Sequence, residues 1–365
     1  MVTGIPRQSA QDPRVAIVAV NWNGWRDTLE CMESVRHLDY PDYLMIVVDN
    51  GSRDDSLVRM REWAQEKECY LLVEYPEAAA RAGGEAVQEQ ALAATSPADR
   101  AVLIRSAVNS GPTGGGNLGI EYALRREQPA DYVFLLDNDA KVEKHTLTHL
   151  VELDHKENAG IIGGAVVDAQ TGKMQFAERT TLLRWFLAPF VRADLPLPGK
   201  EVDYWASAGV SGPAMLMRRD VLDAVHTATG RYLAGELFMD GWEFEFCHQS
   251  SLAGYRSFVT RRGFVWHKGE RFTRCRLSSN RYYYHTRNRI ELAEDFLPLH
   301  WRLLFYFCNL PLTFGRILKA LKHGKPDVAR AIVRGMIDGH EGVRGKWKQH
   351  DDREGVQETL DPTGS

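Results

Sequence analysis

The fold of this chain is decided at Tyr132–Asp139, which reads YVFLLDND. Its first five residues form an apolar run that predicts a buried strand, and two carboxylates one residue apart follow the run. Because residues i and i+2 of a strand point to the same side, Asp137 and Asp139 are predicted to face one hard cation. Oxygen ligands suit Mg²⁺ or Mn²⁺, which commonly share a substrate phosphate. The first hypothesis is a metal-assisted enzyme acting on a phosphorylated substrate, and an ordinary turn after a strand is the alternative.

Two more polar segments come at or just after apolar runs. Asp49–Ser52 follows the strand predicted at Met45–Val48, and a segment rich in glycine extends over Asn109–Gly119. No Gly-Lys-Ser/Thr follows these glycines, so the segment is not a P-loop, and its context does not fit a dinucleotide-binding fingerprint. The order and spacing of the three segments favour one shared site over three unrelated turns.

Apolar runs of strand length alternate with helical patterns along the first half of the chain. This alternation predicts an α/β fold in which crossover helices join parallel strands. Residues 77–100 break the pattern and are predicted to be a helical or mobile insertion, and the sequence becomes aromatic and helical from Leu277. The predicted strands are Val15–Val20, Met45–Val48, Leu71–Glu74, Val102–Arg105, Tyr132–Leu136, Ile161–Gly164, Ala214–Met217 and Gly263–Trp266, and the predicted helices are Thr28–Arg36, Ser56–Glu66 and Gly119–Arg126.

The composition excludes several classes of protein. The chain has 365 residues, 44% of them hydrophobic, and a formal net charge of −4, so nothing indicates a nucleic-acid binder. Its five cysteines are odd in number and form no Cys-x-x-Cys pair, which is typical of a reduced, cytoplasmic protein. Met1–Arg14 lacks the apolar core of a signal peptide, and no apolar run reaches the roughly 18–20 residues of a spanning helix.

Two shorter apolar stretches, Leu182–Val191 and Trp301–Phe314, are flanked by Arg or Lys. Segments of this length are typical of a buried core, and they also suit a membrane interface. The stretch Arg256–Arg289 between them is strongly basic. It is either a solvated face or a surface for an anionic substrate or anionic lipid headgroups.

Taken in order, the polar segments resemble those of family-2 glycosyltransferases with the GT-A fold, which are inverting enzymes that use nucleotide-sugar donors. The resemblance covers about Val15 to Arg289, and Tyr282–Arg289 resembles the closing motif of the bacterial rhamnosyltransferase-like branch. The segments that carry the resemblance are Val15–Gly24, Val47–Ser56, Asn109–Gly119, Asp137–Asp139, Ser211–Arg219, Gly230–Tyr255, Val265–His267 and Tyr282–Arg289.

The resemblance implies a GT-A-type nucleotide-binding fold, with a mostly parallel central sheet flanked by helices and a C-terminal helical, aromatic-rich extension. Residues 15–276 would form the glycosyltransferase domain, with a donor-binding half at 15–139 and an acceptor half at 140–276. Residues 277–350 would be a helical, membrane-proximal region. Residues 1–14 and 351–365 would be a flexible N-terminus and a disordered tail.

The resemblance also implies an activity. The enzyme would transfer a sugar from a nucleotide sugar to a hydroxyl of a glycan or lipid-linked acceptor in cell-envelope polysaccharide synthesis. Rhamnose from a dTDP-sugar is the first choice, and UDP-linked hexose, N-acetylhexosamine or galactofuranose donors remain open. The protein would be cytoplasmic, with attachment to an anionic membrane surface as an option and no nucleic-acid partner.

Site residues are carried over from the resemblance one position at a time. Asp49 would accept a hydrogen bond from the pyrimidine N3–H, and Arg287 would pair with phosphate. Asp137, Asp139 and His267 would hold the divalent metal, Mg²⁺ or Mn²⁺, on the donor diphosphate. The residues predicted to bind the nucleotide sugar are Asn21, Asn23, Asp49, Asn50, Ser52, Asn109, Gly111, Gly115, Asn117, Asp137, Asn138 and Arg287.

The catalytic base is predicted to be Glu243, which a gap-free match through Gly254-Tyr255 places at the family's base position. Trp242 stands where the family usually has an acidic residue, and it would contact the acceptor sugar or belong to the core. Asp240 is the second candidate base. Its spacing from Glu243 also fits a helix capping box, in which both carboxylates would only organise the helix start.

Two other functions remain as alternatives. A non-catalytic glycan-binding or scaffolding homologue would keep the fold and lack the base, and Trp242 at the acidic position agrees with this alternative. A nucleotidyltransferase also uses an α/β fold and paired aspartates. It is less favoured because Val20–Trp25 lacks the basic glycine-rich loop that such an enzyme needs.

Overall fold

The computed structural model describes residues 12–176, 186, 201–268 and 278–349. Its centre is one mixed sheet with the strand order β3-β4-β2-β1-β5-β10-β7-β11-β6, while β8 pairs with β7 and β9 pairs with β11. The strands are β1 (Val15–Asn21), β2 (Tyr43–Asn50), β3 (Leu71–Pro76), β4 (Arg100–Ser106), β5 (Tyr132–Leu136), β6 (Ala140–Val142), β7 (Gly160–Asp168), β8 (Met174–Phe176), β9 (Tyr204–Ala206), β10 (Ala214–Arg218) and β11 (Arg256–His267).

The five strands on one side of the sheet, β3, β4, β2, β1 and β5, are all parallel to one another. Strand β10 is antiparallel to β5 and β7, and β11 is parallel to β7. Because the carboxyl ends of β1, β2, β4 and β5 emerge at one edge, the polar segments that follow these strands are brought together there. The mostly parallel, helix-flanked sheet confirms the predicted fold class.

Helices cover the sheet and form a C-terminal layer. The longest, α10, contains a proline, Pro311, and lies beside α11 and α9. The helices are α1 (Trp25–Val35), α2 (Ser56–Gln65), α3 (Glu77–Arg81), α4 (Ala86–Ala94), α5 (Gly111–Arg125), α6 (Thr146–Glu157), α7 (Arg219–Thr229), α8 (Trp242–Leu252), α9 (Ser279–Phe296), α10 (Leu299–Lys322) and α11 (Pro326–His340).

Helix α5 packs unusually close to the sheet. A Cβ atom added at Gly115 would lie 2.7 Å from Cγ1 of Val20, and one added at Gly119 would overlap the side chain of Val18. Glycine at both positions therefore lets the helix approach β1. This helix was predicted to begin at Gly119. It begins at Gly111, because the glycine-rich segment is itself helical.

The segment 77–100 contains helices α3 and α4 and packs on the core. Glu89 of α4 is 3% exposed, accepts a hydrogen bond of 2.6 Å from the hydroxyl of Tyr122, and pairs with the guanidinium of Arg126 at 2.9 Å. A buried carboxylate needs such partners, because leaving it unpaired in the interior is costly. These contacts fasten the segment to α5.

Several predicted stretches fall outside the described residues. Of Leu182–Val191 only Phe186 is described, residues 269–277 of the basic stretch are not, and neither are 1–11 and 350–365. Within the described residues, no helix is both long enough and apolar enough to cross a membrane.

Candidate active site

Asp137 and Asp139 lie in the turn between β5 and β6. Strand β5 ends at Leu136, and the backbone N–H of Ala140 donates to the carbonyl of Asp137 at 3.0 Å. The two carboxylates are therefore brought together by a turn, and not by a continuing strand as the sequence analysis assumed. Both carboxylates remain on the same side of the chain, where the end of β11 meets them.

His267 completes this cluster. It is the last residue of β11 and pairs with Ala140 across the antiparallel β6. Its Nε2 atom lies 3.0 Å from Oδ1 of Asp139 and 3.5 Å from Oδ2 of Asp137. Burial alone would lower the pKa of His267, but the hydrogen bonds and charges of the two carboxylates raise it to about 10.

The three side chains fit a divalent cation. One ligand atom from each of Asp137, Asp139 and His267 lies within 4.8 Å of the other two. Two carboxylate oxygens and one imidazole nitrogen form a donor set that suits a small divalent metal with positions left for water or substrate. The raised pKa of His267 reflects the same concentration of negative charge.

A chain of hydrogen bonds links this cluster to the ends of β1 and β2. The amide of Asn138 donates to Oγ1 of Thr28 at 2.9 Å, and the Thr28 hydroxyl donates to Oδ1 of Asn21 at 2.8 Å. The amide of Asn21 then donates to Asp49 at 2.8 Å and to Oγ of Ser52 at 3.1 Å. Asp49 is 1% exposed, and burial raises its pKa. The chain fixes the orientation of Asp49 at the sheet edge.

Asn50 organises the loop that precedes α5. Its amide donates to the carbonyl of Gly111 at 2.9 Å and to Oδ1 of Asn109 at 3.3 Å, and its Oδ1 atom accepts from the backbone N–H of Ser110 at 3.2 Å. Gly111 has a φ of +77°, and a Cβ atom there would overlap the carbonyl of Phe238. Glycine is therefore required where this loop meets the segment that leads to α8.

Asn23 holds the neighbouring loop. Its side-chain oxygen accepts from the backbone N–H of Arg53 at 2.7 Å, and its own backbone N–H donates to Oγ of Ser52 at 3.0 Å. Asn23 has a φ of 50°, a left-handed conformation that asparagine adopts more readily than most residues. It therefore shapes the loop that carries Ser52 beside Asp49.

Three residues predicted to touch substrate make structural contacts. The amide of Asn117 donates to the carbonyl of Leu233 at 2.9 Å and accepts from its N–H at 2.8 Å, so it joins α5 to that segment. Gly115 faces Val20 in the helix–sheet packing. Trp242 is 8% exposed and belongs to the main hydrophobic core, which is the second of the two roles considered for it.

Glu243 lies at the start of α8, near enough to the metal-binding turn for the charge of Asp137 to act on it. Its carboxylate packs against Gly212, where an added Cβ atom would lie 2.9 Å from Oε1. Burial, together with the charges of Asp240 and Asp137, raises the pKa of Glu243 to about 8. A carboxylate with a pKa near neutrality suits a general base.

Asp240 occupies a different environment from Glu243. Its Oδ2 atom lies 2.8 Å from Nδ1 of His285, and this partner keeps its pKa below the usual range although burial acts in the opposite direction. Asp240 has a φ of 64°, and the N-cap of α8 is Gly241 with no side-chain cap. Asp240 therefore does not cap α8, whereas the carboxylate of Glu243 accepts from the backbone N–H of Gly241.

Arg287 contacts backbone carbonyls in the interior. The side chain is fully buried, and its guanidinium donates to the carbonyls of Leu237 at 2.9 Å and Gly345 at 2.6 Å. The amide of the adjacent Asn288 donates to the carbonyls of Leu237, Met239 and Asp240. The pair fastens α9 to the loop before Glu243, and the phosphate contact of Arg287 stays a prediction.

His285, Asn288 and Thr28 were not predicted as site residues. The first two fall within Tyr282–Arg289, the motif that the sequence analysis singled out, so that motif was the available signal. Thr28 gave no signal, because a threonine in the first turn of a helix is common and its contacts with Asn21 and Asn138 depend on the tertiary fold.

Arg287→Lys is expected to lower the free energy of unfolding by about 3 kcal/mol, because buried carbonyls lose charged donors worth about 1.5–3 kcal/mol each. Lysine keeps the charge and cannot reproduce the planar fork. Denaturant unfolding measures the change, and nucleotide affinity of the folded variant should stay within about twofold. The control is Arg330→Lys, at a side chain that is 79% exposed. If Arg287→Lys kept the stability of the wild type and lost nucleotide binding, Arg287 would be assigned to the phosphate.

The fold and this site define a glycosyltransferase that uses a nucleotide-sugar donor. The profile of the family described as "Glycosyl transferase family 2" matches residues 15–84 and 83–225. The chain belongs to glycosyl transferase family 2. No curated protein sequence matches the chain.

Solved structures agree on the fold. S. aureus TarS 1–349 in complex with UDP-GlcNAc is 13% identical, with a TM-score of 0.54, and the match covers 90% of this chain and 81% of that one. The mannosyltransferase PcManGT from Pyrobaculum calidifontis, in complex with GDP-Man and Mn²⁺, is 14% identical, with a TM-score of 0.51 and coverage of 90% and 88%. The match to a longer S. aureus TarS structure, 13% identical with a TM-score of 0.48, covers 79% of this chain and 41% of that chain.

Proposed function

We propose that the protein is an inverting glycosyltransferase that transfers a sugar from a nucleotide-sugar donor to a hydroxyl of a glycan or lipid-linked acceptor. One observation carries this proposal. The cluster of Asp137, Asp139 and His267 lies close enough to the buried carboxylate of Glu243 for the charge of Asp137 to raise the pKa of Glu243. An inverting transfer needs these two parts, a clamp on the leaving diphosphate and a base on the acceptor side.

The residues suited to hold the metal are Asp139, His267 and Asp137, and Mg²⁺ or Mn²⁺ is the ion we propose. When bound, such a cation supplies Lewis-acid neutralisation of the charge that develops on the leaving diphosphate. The protein's contribution is the turn after β5 and the end of β11, which hold the ligands before substrate arrives. Preorganisation of this kind avoids reorganisation during the reaction.

On the donor side, we propose that Asp49 accepts a hydrogen bond from the N3–H of a uracil or thymine ring. The amide of Asn21 donates to Oδ1 of Asp49 and the backbone N–H of Ser52 donates to Oδ2, and together they fix the orientation of the carboxylate. Asn23, Asn50, Asn109 and Gly111 shape the loops around the nucleotide. We propose dTDP-rhamnose as the first donor to test, on the resemblance of Tyr282–Arg289, with UDP-sugars as the alternative.

On the acceptor side, Glu243 removes the proton of the attacking hydroxyl. A base with a pKa near the working pH combines a sufficient ionised fraction with enough basicity. Asp240 is held ionised by His285, and this pair lies beside the base. Its negative charge raises the pKa of Glu243, so Asp240 is a positioning and electrostatic residue in this scheme.

A thermal-shift panel tests the proposal. The panel contains dTDP, UDP and GDP and their sugars, each with Mn²⁺ and with chelator. Ligands that bind the native state raise its apparent stability by mass action, about 2.7 kcal/mol at a hundred times the dissociation constant. We expect one pyrimidine diphosphate and its sugar to stabilise the chain only with Mn²⁺. No stabilisation by any nucleotide sugar would refute the proposal.

We further propose that the protein acts in cell-envelope polysaccharide synthesis at the cytoplasmic face of a membrane. Helix α10 exposes large apolar side chains at intervals of three and four residues, which place them on one helical face. We name this face the apolar stripe; it consists of Leu303, Phe307, Leu310, Phe314, Leu318 and Leu321. An exposed apolar face of this size is typical of a protein or membrane contact.

Wild-type protein is expected to float with vesicles of phosphatidylglycerol at low salt and less at high salt, because basic side chains near α10 are screened. Phe307→Ser with Phe314→Ser should weaken binding at least about tenfold, since both rings are exposed in the free protein, 79% and 61% respectively. The matched control is Val87→Ser, at an apolar side chain that is 81% exposed on α4. Equal flotation of all three proteins would show that the apolar stripe does not contact the membrane.

A further inference from the structure

A pocket lies between α9, α10 and α11, away from the metal-binding turn. Helix α9 contributes Thr286 and Arg289, α10 contributes Arg316 and Leu310, and the exposed His340 of α11 is at its rim. The proposed transfer chemistry uses none of these residues. The pocket therefore needs an explanation of its own.

The pocket is lined by two cations. Arg289 donates to the carbonyl of Phe186 at 2.7 Å and to Oδ1 of Asn309 at 3.0 Å. Arg316 forms no ion pair with any of the residues that the structure describes. Burial and the charge of Arg316 lower the pKa of Arg289 to about 10, although the charge of Asp240 acts in the opposite direction. Two like charges that share one cavity favour the binding of an anion.

A buried hydroxyl points to the same conclusion. Thr286 is 6% exposed, lines the pocket, and has no hydrogen-bond partner for Oγ1 within the described part of the chain. Leaving a buried hydroxyl unpaired is costly, and buried polar groups in proteins nearly always have a partner. A phosphate oxygen in the pocket would supply the missing acceptor.

The position of the pocket identifies what the anion belongs to. His285, which contacts Asp240, lies one helical turn before Arg289 on α9, so the pocket borders the acceptor side of the active site. On the other side, Leu310 lines the pocket and is also a member of the apolar stripe. The pocket thus lies between the base and the surface proposed to meet a membrane.

We infer that this pocket binds the phosphate of a lipid-linked acceptor, with Arg289, Arg316 and the Thr286 hydroxyl on the phosphate and the lipid chain leaving along the stripe at Leu310. This inference rests on the proposed function, because it names the acceptor of that reaction. It places the charged end of the acceptor beside Asp240, from which the sugar end extends towards Glu243.

Calorimetry with farnesyl diphosphate tests the inference on the full chain. The titration is made in chelator, so that the metal-dependent donor site does not contribute. We expect farnesyl diphosphate to bind at least tenfold more tightly than pyrophosphate or farnesol alone. Arg316→Gln should weaken binding at least tenfold, and the control Arg330→Gln should bind as the wild type does.

Thr286→Val gives the sharper result. Valine has the shape of threonine without the hydroxyl, so the variant should lose affinity several-fold while its melting temperature stays equal or rises. If the hydroxyl had a merely structural role, its removal would lower the melting temperature instead. Unchanged affinity in both Thr286→Val and Arg316→Gln would overturn the inference.

Three further outcomes are informative. In the first, phosphatidylglycerol vesicles displace labelled farnesyl diphosphate as effectively as the unlabelled compound does. This result would assign the pocket to bilayer headgroups and overturn the acceptor assignment. A chain that nucleotide sugars stabilise and farnesyl diphosphate does not bind would refute only this inference. A chain that no nucleotide sugar stabilises would refute the proposed function, whatever it does with the lipid.

Discussion

Glu243→Gln is expected to lower the rate of sugar transfer by roughly 10²–10⁴ while donor affinity stays unchanged. Glutamine keeps the shape of the side chain against Gly212, but it has no basic oxygen for the acceptor proton. The base contacts the acceptor hydroxyl and not the nucleotide, so the loss should fall on the rate. Steady-state kinetics with the donor selected by the thermal-shift panel, together with calorimetry of the nucleotide, separates the two effects.

The pH profile carries a second signature of Glu243. The base works as a carboxylate, so the wild-type rate should rise with pH, up to tenfold per unit, and level off above the pKa of Glu243. That pKa is about 8 in the free chain, and a cation on Asp137 would lower it by cancelling a neighbouring negative charge. The inflection should therefore lie at or below pH 8 and be absent in Glu243→Gln.

The stability of Glu243→Gln should move in the opposite direction to its activity. The folded pKa of Glu243 is raised from the ordinary 4.5 to about 8, so ionisation opposes folding. Wild-type stability therefore falls as pH rises from about 4.5 to 8, and the glutamine variant avoids this loss. An equal or higher melting temperature at pH 8, with a severe loss of rate, is the expected combination.

Asp240→Asn is the control for this prediction. It should reduce the rate less than Glu243→Gln, because Asp240 acts through its charge and through His285. A severe loss at Asp240 alone would move the base to that position. Normal rates in both variants would show that neither carboxylate removes the proton.

Asp139→Asn is expected to weaken Mn²⁺-dependent nucleotide binding at least about a hundredfold. Asparagine removes one negative charge and one strong ligand from a donor set of three, while the turn after β5 keeps its backbone hydrogen bond. Folding should be retained, because Asp139 lies in a turn at the sheet edge and not in the apolar core. Calorimetry of UDP or dTDP with increasing Mn²⁺ measures the change.

The matched control for Asp139→Asn is Asp223→Asn, at a carboxylate of α7 that is 55% exposed and outside the cleft. It removes the same charge from the chain and should leave nucleotide binding intact. Wild-type protein that binds nucleotide equally well in chelator would contradict the assignment of the metal site. So would an Asp139→Asn variant with the Mn²⁺ dependence of the wild type.

Most of the sheet was predictable because its signals are local. Strands β1, β2, β4 and β5 are runs of apolar residues of strand length, and each run is buried. Strands β6, β8 and β9 have three residues each and were not predicted, since they exist by pairing with β7 or β11. Strand β11 begins at Arg256, whereas only Gly263–Trp266 was predicted, because its first half contains polar residues.

The residues of the metal-binding cluster were predictable, but their geometry was not. Asp137 and Asp139 were recognised from their spacing and His267 from the resemblance, while the turn that aligns them is set by the pairing of β6 with β11. The contacts of Arg287 were not predictable for a related reason. Its phosphate role was taken from the resemblance of Tyr282–Arg289, and nothing local shows that the loop carbonyls of Leu237 and Gly345 surround it.

The account is tested most directly by a crystal structure of Glu243→Gln with Mn²⁺ and the nucleotide sugar that stabilises the chain. We predict that Asp139 and His267 coordinate the metal on the donor diphosphate and that Asp49 meets the pyrimidine ring. The amide of residue 243 should face the anomeric carbon from the side opposite the diphosphate. A nucleotide sugar bound away from Asp49, or a diphosphate whose metal is held by other side chains, would contradict the account.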